Sequence, residues 1–333
     1  MKKIMAVLLT AALCLTMLLS AAGAEAAELK QIVFCLDWTP NTNHTGVYAA
    51  QALGYYREAG LEVQIVQPPE NGALLMCAAG QAQFAVDAQD TMAASLDLEE
   101  PLGVTSVAAI LQHNTSGILA RAGEGITSAK GMEGKTYATW DSPIELAMLK
   151  YCMEKEGADF STVKLIPNNI TDEPAALAAH QTDAVWVFYG WSGVNAELSG
   201  VQCDYWDFAS LSKELDYYTP VILANNEFLQ KDPETARAFL AATAKGYQYA
   251  AEHPREAADL LIAGDTTGSL SDAKELVYAS QEWISGRYIA DAPAWGVMDP
   301  ERWNGFYGWL HENGLSAHDL TGIGFSNDYL PAE

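Results

Sequence analysis

Residues 32–46 read Ile-Val-Phe-Cys-Leu-Asp-Trp-Thr-Pro-Asn-Thr-Asn-His-Thr-Gly, an apolar run that turns abruptly polar. The apolar part, residues 32–36, has the length and composition of a buried strand, and a helical pattern begins near Thr45. Polar groups therefore crowd the carboxyl end of a predicted strand. Ligands of open α/β sheets bind in the crevice beyond such ends. The stretch thus predicts an α/β fold with a ligand site at this position.

The side chains of this stretch suit a flat, polar heterocycle. An indole can stack on a ring, and carboxylate, amide and imidazole groups can donate or accept hydrogen bonds. The candidate residues are Asp37, Trp38, Asn41, Asn43 and His44. The same residue types are also ordinary in turns and helix caps. A purely capping role therefore stays open for Thr42, Asn43 and Thr45.

The composition is that of a strongly acidic globular protein. The 333 residues include 18 Lys and Arg and 43 Asp and Glu, which gives a net charge of −25, and 50% of the residues are hydrophobic. Such a charge repels nucleic acids and anionic membranes, so neither is expected as a partner. The hydrophobic content supports a packed core, and the length suits two domains.

The first residues have the layout of a secretory signal. Met1-Lys-Lys3 is followed by an apolar run to Leu19 and by small and polar residues up to Glu28. The apolar run is shorter than a typical membrane span. We therefore expect residues 1–26 to be a cleaved signal peptide and the protein to be exported to the periplasm or the cell surface. Cys14 leaves a lipid anchor open, although the bulky Leu13 before it disfavours one.

Beyond residue 46, strands and helices alternate in two series, as in parallel sheets. The first series comprises predicted strands at 61–66, 84–86 and 104–111 and helices at 45–59 and 72–79. The second comprises strands at 136–138, 163–166 and 184–188 and helices at 144–156 and 173–180. The pattern of residues 217–224 predicts that the chain returns there to the first series. Predicted helices at 233–252, 256–262 and 272–284 and an aromatic tail follow.

This order predicts two α/β lobes. Lobe 1 comprises residues 27–117 and 222–333, and lobe 2 comprises residues 118–221. The chain would cross between the lobes twice, so the pair could close on a ligand by hinge motion. We expect a monomer.

In the second lobe, Ser142-Pro-Ile-Glu145 has the pattern of a helix capping box. The start of this helix would face the cleft together with Trp140, so Trp140, Ser142 and Glu145 are candidate ligand contacts. Glu145 could leave its capping role to accept two N–H donors from an amino-pyrimidine edge. A capping role alone also explains the motif.

The stretch 185–193, Val-Trp-Val-Phe-Tyr-Gly-Trp-Ser-Gly, ends the last predicted strand of the second lobe. Trp186 and Phe188 alternate with valines and are predicted to be core residues. Tyr189 and Trp191 lie beyond the strand, where their rings could form a cleft wall and sandwich a planar ligand. Packing remains the alternative for Trp191.

Three further candidates lie at strand ends or at the return crossing. Glu70 in Pro69-Glu-Asn-Gly72 and Gln89 in Asp87-Ala-Gln-Asp90 follow strands of the first lobe, where helix caps are the alternative. Tyr218, beside Tyr217, could contact a ligand or pack at the hinge.

No arrangement of residues indicates catalysis. The six histidines have no metal-site spacing, and the chain has no nucleophile elbow, phosphate loop or dinucleotide fingerprint. Cys35, Cys77, Cys152 and Cys203 lack metal or redox spacing. We expect buried free thiols, although disulfides stay open. The sequence favours a binding protein without a cofactor or a metal.

Taken together, these residues resemble one family: solute-binding proteins of ABC importers for thiamine pyrimidine precursors, which also includes fungal hydroxymethylpyrimidine phosphate synthases. The segments that carry the resemblance are 36–46, Gly54-Tyr-Tyr56, Gly60-Leu-Glu-Val63, Gln67-Pro-Pro-Glu70, Asn114-Thr-Ser-Gly117, Ser142-Pro-Ile-Glu145, Asp183-Ala-Val-Trp186, Tyr189-Gly-Trp191 and Asp216-Tyr-Tyr-Thr-Pro220. The resemblance covers nearly all of the chain after the signal. It implies a type II periplasmic-binding-protein fold and an ABC permease as the membrane partner.

The resemblance also implies a ligand, held between the lobes. The likeness assigns Asp37, Trp38, Asn41 and His44 to one side of the site and Glu145, Tyr189 and Trp191 to the other. Ser192 departs from the acidic residue that many relatives have there. The ligand implied is a pyrimidine of the hydroxymethylpyrimidine or formylaminopyrimidine type. Riboflavin or another small organic solute is the alternative, and the lack of an arginine disfavours a sulfonate.

An enzyme is the less favoured alternative. The fungal synthases of this family hold pyridoxal phosphate on a lysine and consume a histidine, both in the segment after the third strand. Here that segment reads Phe84-Ala-Val-Asp-Ala-Gln-Asp-Thr91 and contains neither residue type.

Overall fold

The alternating strands and helices build two five-stranded sheets in a computed structural model that describes residues 28–331. The predicted signal peptide, residues 1–26, lies outside the described residues. The strands are β1 (Lys30–Cys35), β2 (Leu61–Val66), β3 (Phe84–Asp87), β4 (Val104–Ala109), β5 (Ser116–Arg121), β6 (Thr136–Thr139), β7 (Lys164–Pro167), β8 (Ala184–Phe188), β9 (Cys203–Asp207) and β10 (Val221–Asn225). No helix within residues 28–331 has the length and apolar character to cross a membrane.

The strand order shows two lobes. The first sheet has the order β2-β1-β3-β10-β4 and the second β7-β6-β8-β5-β9. Strand β10 returns to the first sheet after the whole second sheet and runs antiparallel to both β3 and β4. The chain therefore passes between the sheets twice, through residues 110–115 and 208–220. This confirms the predicted fold of two α/β lobes joined by two crossings, while the predicted lobe limits stay a prediction.

Helices cover the faces of both sheets. They are α1 (Thr45–Ala52), α2 (Tyr55–Glu58), α3 (Ala73–Ala78), α4 (Gln89–Leu96), α5 (Pro143–Lys155), α6 (Glu173–Ala178), α7 (Val194–Ser199), α8 (Phe208–Leu211), α9 (Asn226–Lys231), α10 (Pro233–Glu252), α11 (Pro254–Gly264), α12 (Lys274–Ser285) and α13 (Pro300–Glu312). The single helix predicted at 45–59 is two helices, because Gly54 has a positive φ of 81° that interrupts the helix.

The core of the first lobe depends on the close approach of α1 and α10. Gly46 of α1 faces Gly246 and Tyr247 of α10, and a Cβ on Gly46 would lie 2.2 Å from Tyr247 Cγ. The Tyr247 ring is fully buried, stacks on Trp295 and donates a 2.6 Å hydrogen bond to the carbonyl of Asn43. This contact places the start of α1, and with it the polar stretch after β1.

The four described cysteines are free thiols. Cys35, Cys77 and Cys152 are buried, and Cys203 is half-buried. Burial raises the pKa of Cys35 to about 11 and that of Cys77 to about 12, so these thiols stay protonated at neutral pH.

Replacing Gly46 with alanine tests the α1–α10 contact. The added Cβ overlaps a ring that its own stacking and hydrogen bond hold in place, so we expect the free energy of unfolding to fall by about 1–3 kcal/mol. Urea denaturation measures it. Gly305→Ala is the matched control, because Gly305 lies inside α13 with no atom within 4 Å of the position that a Cβ would occupy, and alanine there should stabilise the helix slightly. Equal losses for both variants would contradict the account.

Candidate functional site

A pocket between the two sheets brings together the polar stretch after β1 and the turn after β8. Its lining residues are Asn41, Thr42, Asn43, Leu111, Thr115, Phe188, Gly190, Trp191, Pro220 and Ile284. Leu111, Thr115 and Pro220 belong to the two crossings. The pocket thus lies at the hinge side of the cleft, and it unites Asn41 and Trp191, two predicted site residues from opposite sheets.

A serine of α12 joins the two walls of this pocket. Ser280 Oγ lies 2.6 Å from Thr42 Oγ1 and donates a hydrogen bond to the carbonyl of Gly190. Gly190 also packs closely against the Trp283 ring. A Cβ on Gly190 would lie only 2.9 Å from Cζ3 of that ring. Helix α12 therefore fixes the turn after β8 relative to the stretch after β1.

The stretch after β1 caps a helix through Asn41 and also binds the Asp37 carboxylate through His44. Asn41 Oδ1 accepts from the backbone N–H of Asn43 at 2.9 Å, and the N–H of Asn41 donates to His44 Nδ1 at 3.2 Å. Nδ1 is thus an acceptor, so the neutral ring carries its proton on Nε2 and donates it to Asp37 Oδ1 at 2.8 Å. His44 is fully buried, and it orients Asp37 rather than lining the cleft.

Two exposed tryptophans stand at corresponding edges of the two sheets. Trp38, which follows β1, is 59% exposed, and Trp140, which follows β6, is 54% exposed. The Trp140 ring meets the edge of Trp186 with a centroid distance of 6.3 Å. Because parallel strands end at the same side of a sheet, Trp140 lies on the sheet edge that also carries Trp191. Large exposed rings beside a cleft are typical of ligand walls.

Glu145 keeps its capping role in the structure and is buried. Its carboxylate accepts hydrogen bonds from Tyr137 OH at 2.6 Å, Thr139 Oγ1 at 2.9 Å and the backbone N–H groups of Trp140 and Ser142 at 3.1 and 3.3 Å. Burial raises the pKa of Tyr137 far above its usual range, so the hydroxyl remains a donor. Glu145 therefore positions the Trp140 loop, and direct contact of Glu145 or Ser142 with a ligand stays a prediction.

The turn Tyr189–Gly193 separates the two rings that we expected in one wall. Trp191 lines the pocket between the sheets, whereas Tyr189 donates its hydroxyl to Glu197 and packs against Tyr205 with a centroid distance of 4.7 Å. Tyr189 lines a second cavity, inside the second lobe. Tyr189 also packs against Trp283 of α12, with a centroid distance of 5.4 Å. Direct contact of Tyr189 with a ligand stays a prediction.

Of the two aromatic residues of β8, Trp186 lies in the core and Phe188 lies at the pocket. Trp186 is 5% exposed and belongs to the core, as predicted. Phe188 was predicted to be a core residue, but it is 39% exposed and lines the pocket. The prediction for Phe188 is wrong because β8 ends there and the sheet no longer covers its side chain.

Gln89 and Tyr218 are fully buried and bound to each other. The backbone N–H of Gln89 donates to the carbonyl of Tyr218 at 3.1 Å, and the N–H of Tyr218 donates to Gln89 Oε1 at 3.0 Å. Gln89 also donates to the carbonyl of Trp303 at 2.8 Å. The structure gives both residues a packing role at the return crossing instead of a cleft surface. Glu70 is exposed at the turn after β2, outside the pocket.

A charged cluster ties the crossings together. His113 on the first crossing lies 2.7 Å from Asp216 on the second and 3.0 Å from Asp291. The hydrogen bond with Asp216 raises the pKa of His113 above its usual value of 6.5. The backbone N–H of Asn114 also donates to Asp216, at 2.9 Å.

Asp87 and Asp90 are polar residues of the site region that we did not select from the sequence. Asp87 ends β3, and Asp90 lies in the first turn of α4. Burial raises the pKa of Asp87 to about 7 and that of Asp90 to about 6. The available signal was that both residues lie where a strand gives way to a helix, and a capping role was the alternative explanation.

Two α/β sheets, two crossings and a cleft define the class as a two-lobed protein with the periplasmic binding-protein fold. The alkanesulfonate-binding protein SsuA of Xanthomonas axonopodis pv. citri superposes with a TM-score of 0.64 at 12% identity, over 90% of this chain and 99% of that chain. The desulfurization enzyme DSZB superposes with a TM-score of 0.61 at 13% identity, over 90% of this chain and 97% of that chain. These similarities concern the fold alone.

The sequence identifies the family within this class. The model of the NMT1/THI5-like family matches residues 41–257, and the chain belongs to that family. The formylaminopyrimidine-binding protein of Halalkalibacterium halodurans is 26% identical over 306 residues, 90% of this chain and 88% of that protein. The 4-amino-5-hydroxymethyl-2-methylpyrimidine phosphate synthase THI11 of Saccharomyces cerevisiae is 26% identical over 239 residues, 68% of this chain and 69% of that protein.

Removing the Glu145 carboxylate tests its positioning role. Glu145→Ala leaves the buried hydroxyls of Tyr137 and Thr139 without their acceptor, at about 1–3 kcal/mol for each unsatisfied group. We expect the free energy of unfolding in urea to fall by at least about 2 kcal/mol. Glu145→Gln retains one oxygen acceptor and is the control, with a smaller loss. Similar losses for the two variants would show that these hydrogen bonds contribute little.

Proposed function

We propose that this protein is an exported solute-binding protein of an ABC importer. Its ligand is a thiamine-related pyrimidine of the hydroxymethylpyrimidine or formylaminopyrimidine type, and its membrane partner is an ABC permease. The observation that carries the proposal is the pocket with Asn41 from one sheet and Trp191 from the other. The relative named as a formylaminopyrimidine-binding protein, which matches 90% of this chain, supports the ligand class.

The chemistry of the cleft supports an uncharged or weakly basic aromatic ligand. Trp38, Trp140 and Trp191 offer ring faces, and Asn41 and Asp37 offer hydrogen-bonding groups. Among the described residues that line the pocket, none is a lysine or an arginine. Since sulfonate recognition normally uses the positive charge of such side chains, their lack disfavours a sulfonate, although proteins with this fold include sulfonate-binding ones.

We propose binding without chemical conversion. Several relatives are named as pyrimidine phosphate synthases, so this choice rests on the residues of this chain. The segment after β3 has Asp87 and Asp90, but neither a lysine that could form an aldimine nor a histidine. A purified protein with the absorbance of a lysine–pyridoxal phosphate adduct would favour a synthase instead.

Binding couples to closure because the site is divided between the lobes. A ligand stabilises a closed state only through contacts that the open state lacks, so residues of both walls must contribute. The two crossings, with His113 bound to Asp216, are the chain connections about which such a closure would turn.

Replacing Trp191 with alanine tests the wall of the second lobe. Loss of one stacking face and its buried area should weaken binding of an aminopyrimidine by about tenfold or more. Isothermal titration calorimetry measures the affinity, after a thermal-shift screen of aminopyrimidines, thiamine, riboflavin and sulfonates has identified a ligand.

Leu198→Ala is the control for this experiment. Leu198 is 50% exposed on α7 of the same lobe and does not line the pocket. Its loss should leave the affinity unchanged. Unchanged affinity in Trp191→Ala would remove Trp191 from the site, and a thermal shift with sulfonates alone would overturn the proposed ligand class.

A further inference from the structure

A histidine on the first crossing lies between the carboxyl groups of two aspartates. His113 Nδ1 is 2.7 Å from Asp216 Oδ2, and His113 Nε2 is 3.0 Å from Asp291 Oδ1. Carboxylate oxygens only accept hydrogen bonds, and a neutral imidazole has a single N–H group to donate. Both contacts are therefore hydrogen bonds only when both ring nitrogens carry a proton, which makes His113 an imidazolium.

The two aspartates belong to different parts of the chain. Asp216 lies on the second crossing, whereas Asp291 lies in the segment between α12 and α13. This segment is attached to the first sheet, because the N–H of Ala109 at the end of β4 donates to the carbonyl of Gly296 at 2.9 Å. The protonated ring of His113 thus connects the first crossing both to the second crossing and to a segment of the first sheet.

Backbone groups on either side of this histidine bind the same two parts of the chain. The N–H of Gln112 donates to the carbonyl of Arg287 at 3.3 Å, and the N–H of Asn114 donates to Asp216 Oδ1 at 2.9 Å. Arg287 lies in the segment between α12 and α13. The two amide protons therefore report whether the first crossing stays bound to its neighbours.

An arginine of α13 completes the group, which we call the hinge cluster: His113, Asp216, Asp291 and Arg302. Arg302 Nε lies 3.6 Å from Asp216 Oδ2 and Nη2 lies 3.7 Å from Asp291 Oδ2, while Nη1 donates to the carbonyl of Gln112. With His113 protonated, two cations balance two carboxylates. Loss of the proton removes one hydrogen bond and leaves both carboxylates with a single cation.

The titratable and charged groups that face His113 come from the second crossing, the segment before α13 and α13 itself. Its hydrogen bond with Asp216 raises the pKa of His113 above 6.5, although desolvation and Arg302 oppose this. Desolvation alone would raise the pKa of Asp291, but the charges of His113 and Arg302 hold it below its usual value. Burial raises the pKa of Tyr218, whose ring lies beside Arg302, so its hydroxyl stays neutral below pH 9.

We propose that the hinge cluster is a pH-sensitive connection, in which the proton on His113 binds the first crossing to the second crossing and to the segment before α13. When this proton leaves, the shorter contact with Asp216 remains and the contact with Asp291 is lost. The first crossing then moves more freely relative to the first sheet. Closure turns about the crossings, so pH regulates how readily the lobes rearrange. That consequence rests on the proposed function, whereas the connection itself does not.

The direction of the pH effect follows from the raised pKa of His113. The folded protein keeps a proton at a pH where the unfolded chain releases it. The contribution of His113 to stability is therefore fully present below pH 6.5 and is lost as the pH rises through the pKa of the folded protein. The side chain of His113 is 39% exposed, so solvent reaches the ring and also weakens the interaction by screening.

Amide hydrogen exchange of the ligand-free protein at pH 5.5 and pH 8.5 tests this inference, with rates corrected for the intrinsic effect of pH. The protection of the Gln112 and Asn114 amides in the natural protein should fall about five- to tenfold at the higher pH, since one charge-assisted hydrogen bond is lost. A nuclear magnetic resonance titration should place the pKa of His113 above 6.5. Equal protection at both pH values, or a pKa at or below 6.5, would overturn the proposal.

Two variants separate a role of the proton from a role in packing. In Asp291→Asn the amide can donate as well as accept, so it satisfies Nε2 of His113 with or without a proton. The protection should then be the same at both pH values. His113→Gln removes the titrating group, and its protection at pH 5.5 should already be as low as that of the natural protein at pH 8.5. The natural pH dependence in either variant would contradict the proposal.

His311→Gln is the matched control, because His311 is exposed in the last turn of α13, away from the hinge cluster. It makes the same substitution and should keep the pH dependence of the natural protein. Loss of the pH dependence in this control would show that its origin is not His113. Because these measurements use no ligand, failure of the protein to bind an aminopyrimidine would overturn the proposed function and leave the result for the hinge cluster unaffected.

Discussion

The hydrogen bonds that Ser280 makes with Thr42 and Gly190 are the contact on which the site depends. Thr42 lies in the stretch after β1, and Gly190 lies in the turn after β8. Ser280 belongs to α12 and follows Gly190 by 90 residues. A Cβ on Gly190 would lie 2.9 Å from the Trp283 ring, so this turn packs closely against α12. Because one side chain joins both walls, the position of Trp191 relative to Asn41 follows from the packing of α12.

The other polar groups of the site are of two kinds, buried residues that form hydrogen bonds within the protein and exposed residues that these hydrogen bonds orient. His44 and Glu145 are buried and satisfy local donors and acceptors, which orients Asp37 on one sheet edge and the Trp140 loop on the other. Asp37, Trp38 and Trp140 are exposed. Buried polar residues thus hold in place exposed groups at the ends of β1 and β6.

The fold was predictable from the sequence because its signals are local. Strand and helix periodicity, the capping box at Ser142 and the proline at the start of α10 depend on neighbouring residues, and they place most elements correctly. The helix break at Gly54 and the short strand β9 were not predicted, since one depends on a single backbone angle and the other on pairing with β5.

The site was predicted less completely because its contacts are distant in sequence. Asn41 and Trp191 do meet in one pocket. Tyr189 packs against Tyr205 and Trp283, and Gln89 and Tyr218 satisfy each other across 129 residues, which no local pattern encodes.

The central claim is that one flat heterocycle is held by residues of both sheets at once. A crystal structure of the protein with 4-amino-5-hydroxymethyl-2-methylpyrimidine tests it most directly. The account predicts the ring between the lobes, with an N–H group within hydrogen-bonding distance of Asp37 and a ring face against a tryptophan of the second lobe. A ring that contacts residues of one sheet only, or lies outside the cleft, would contradict it.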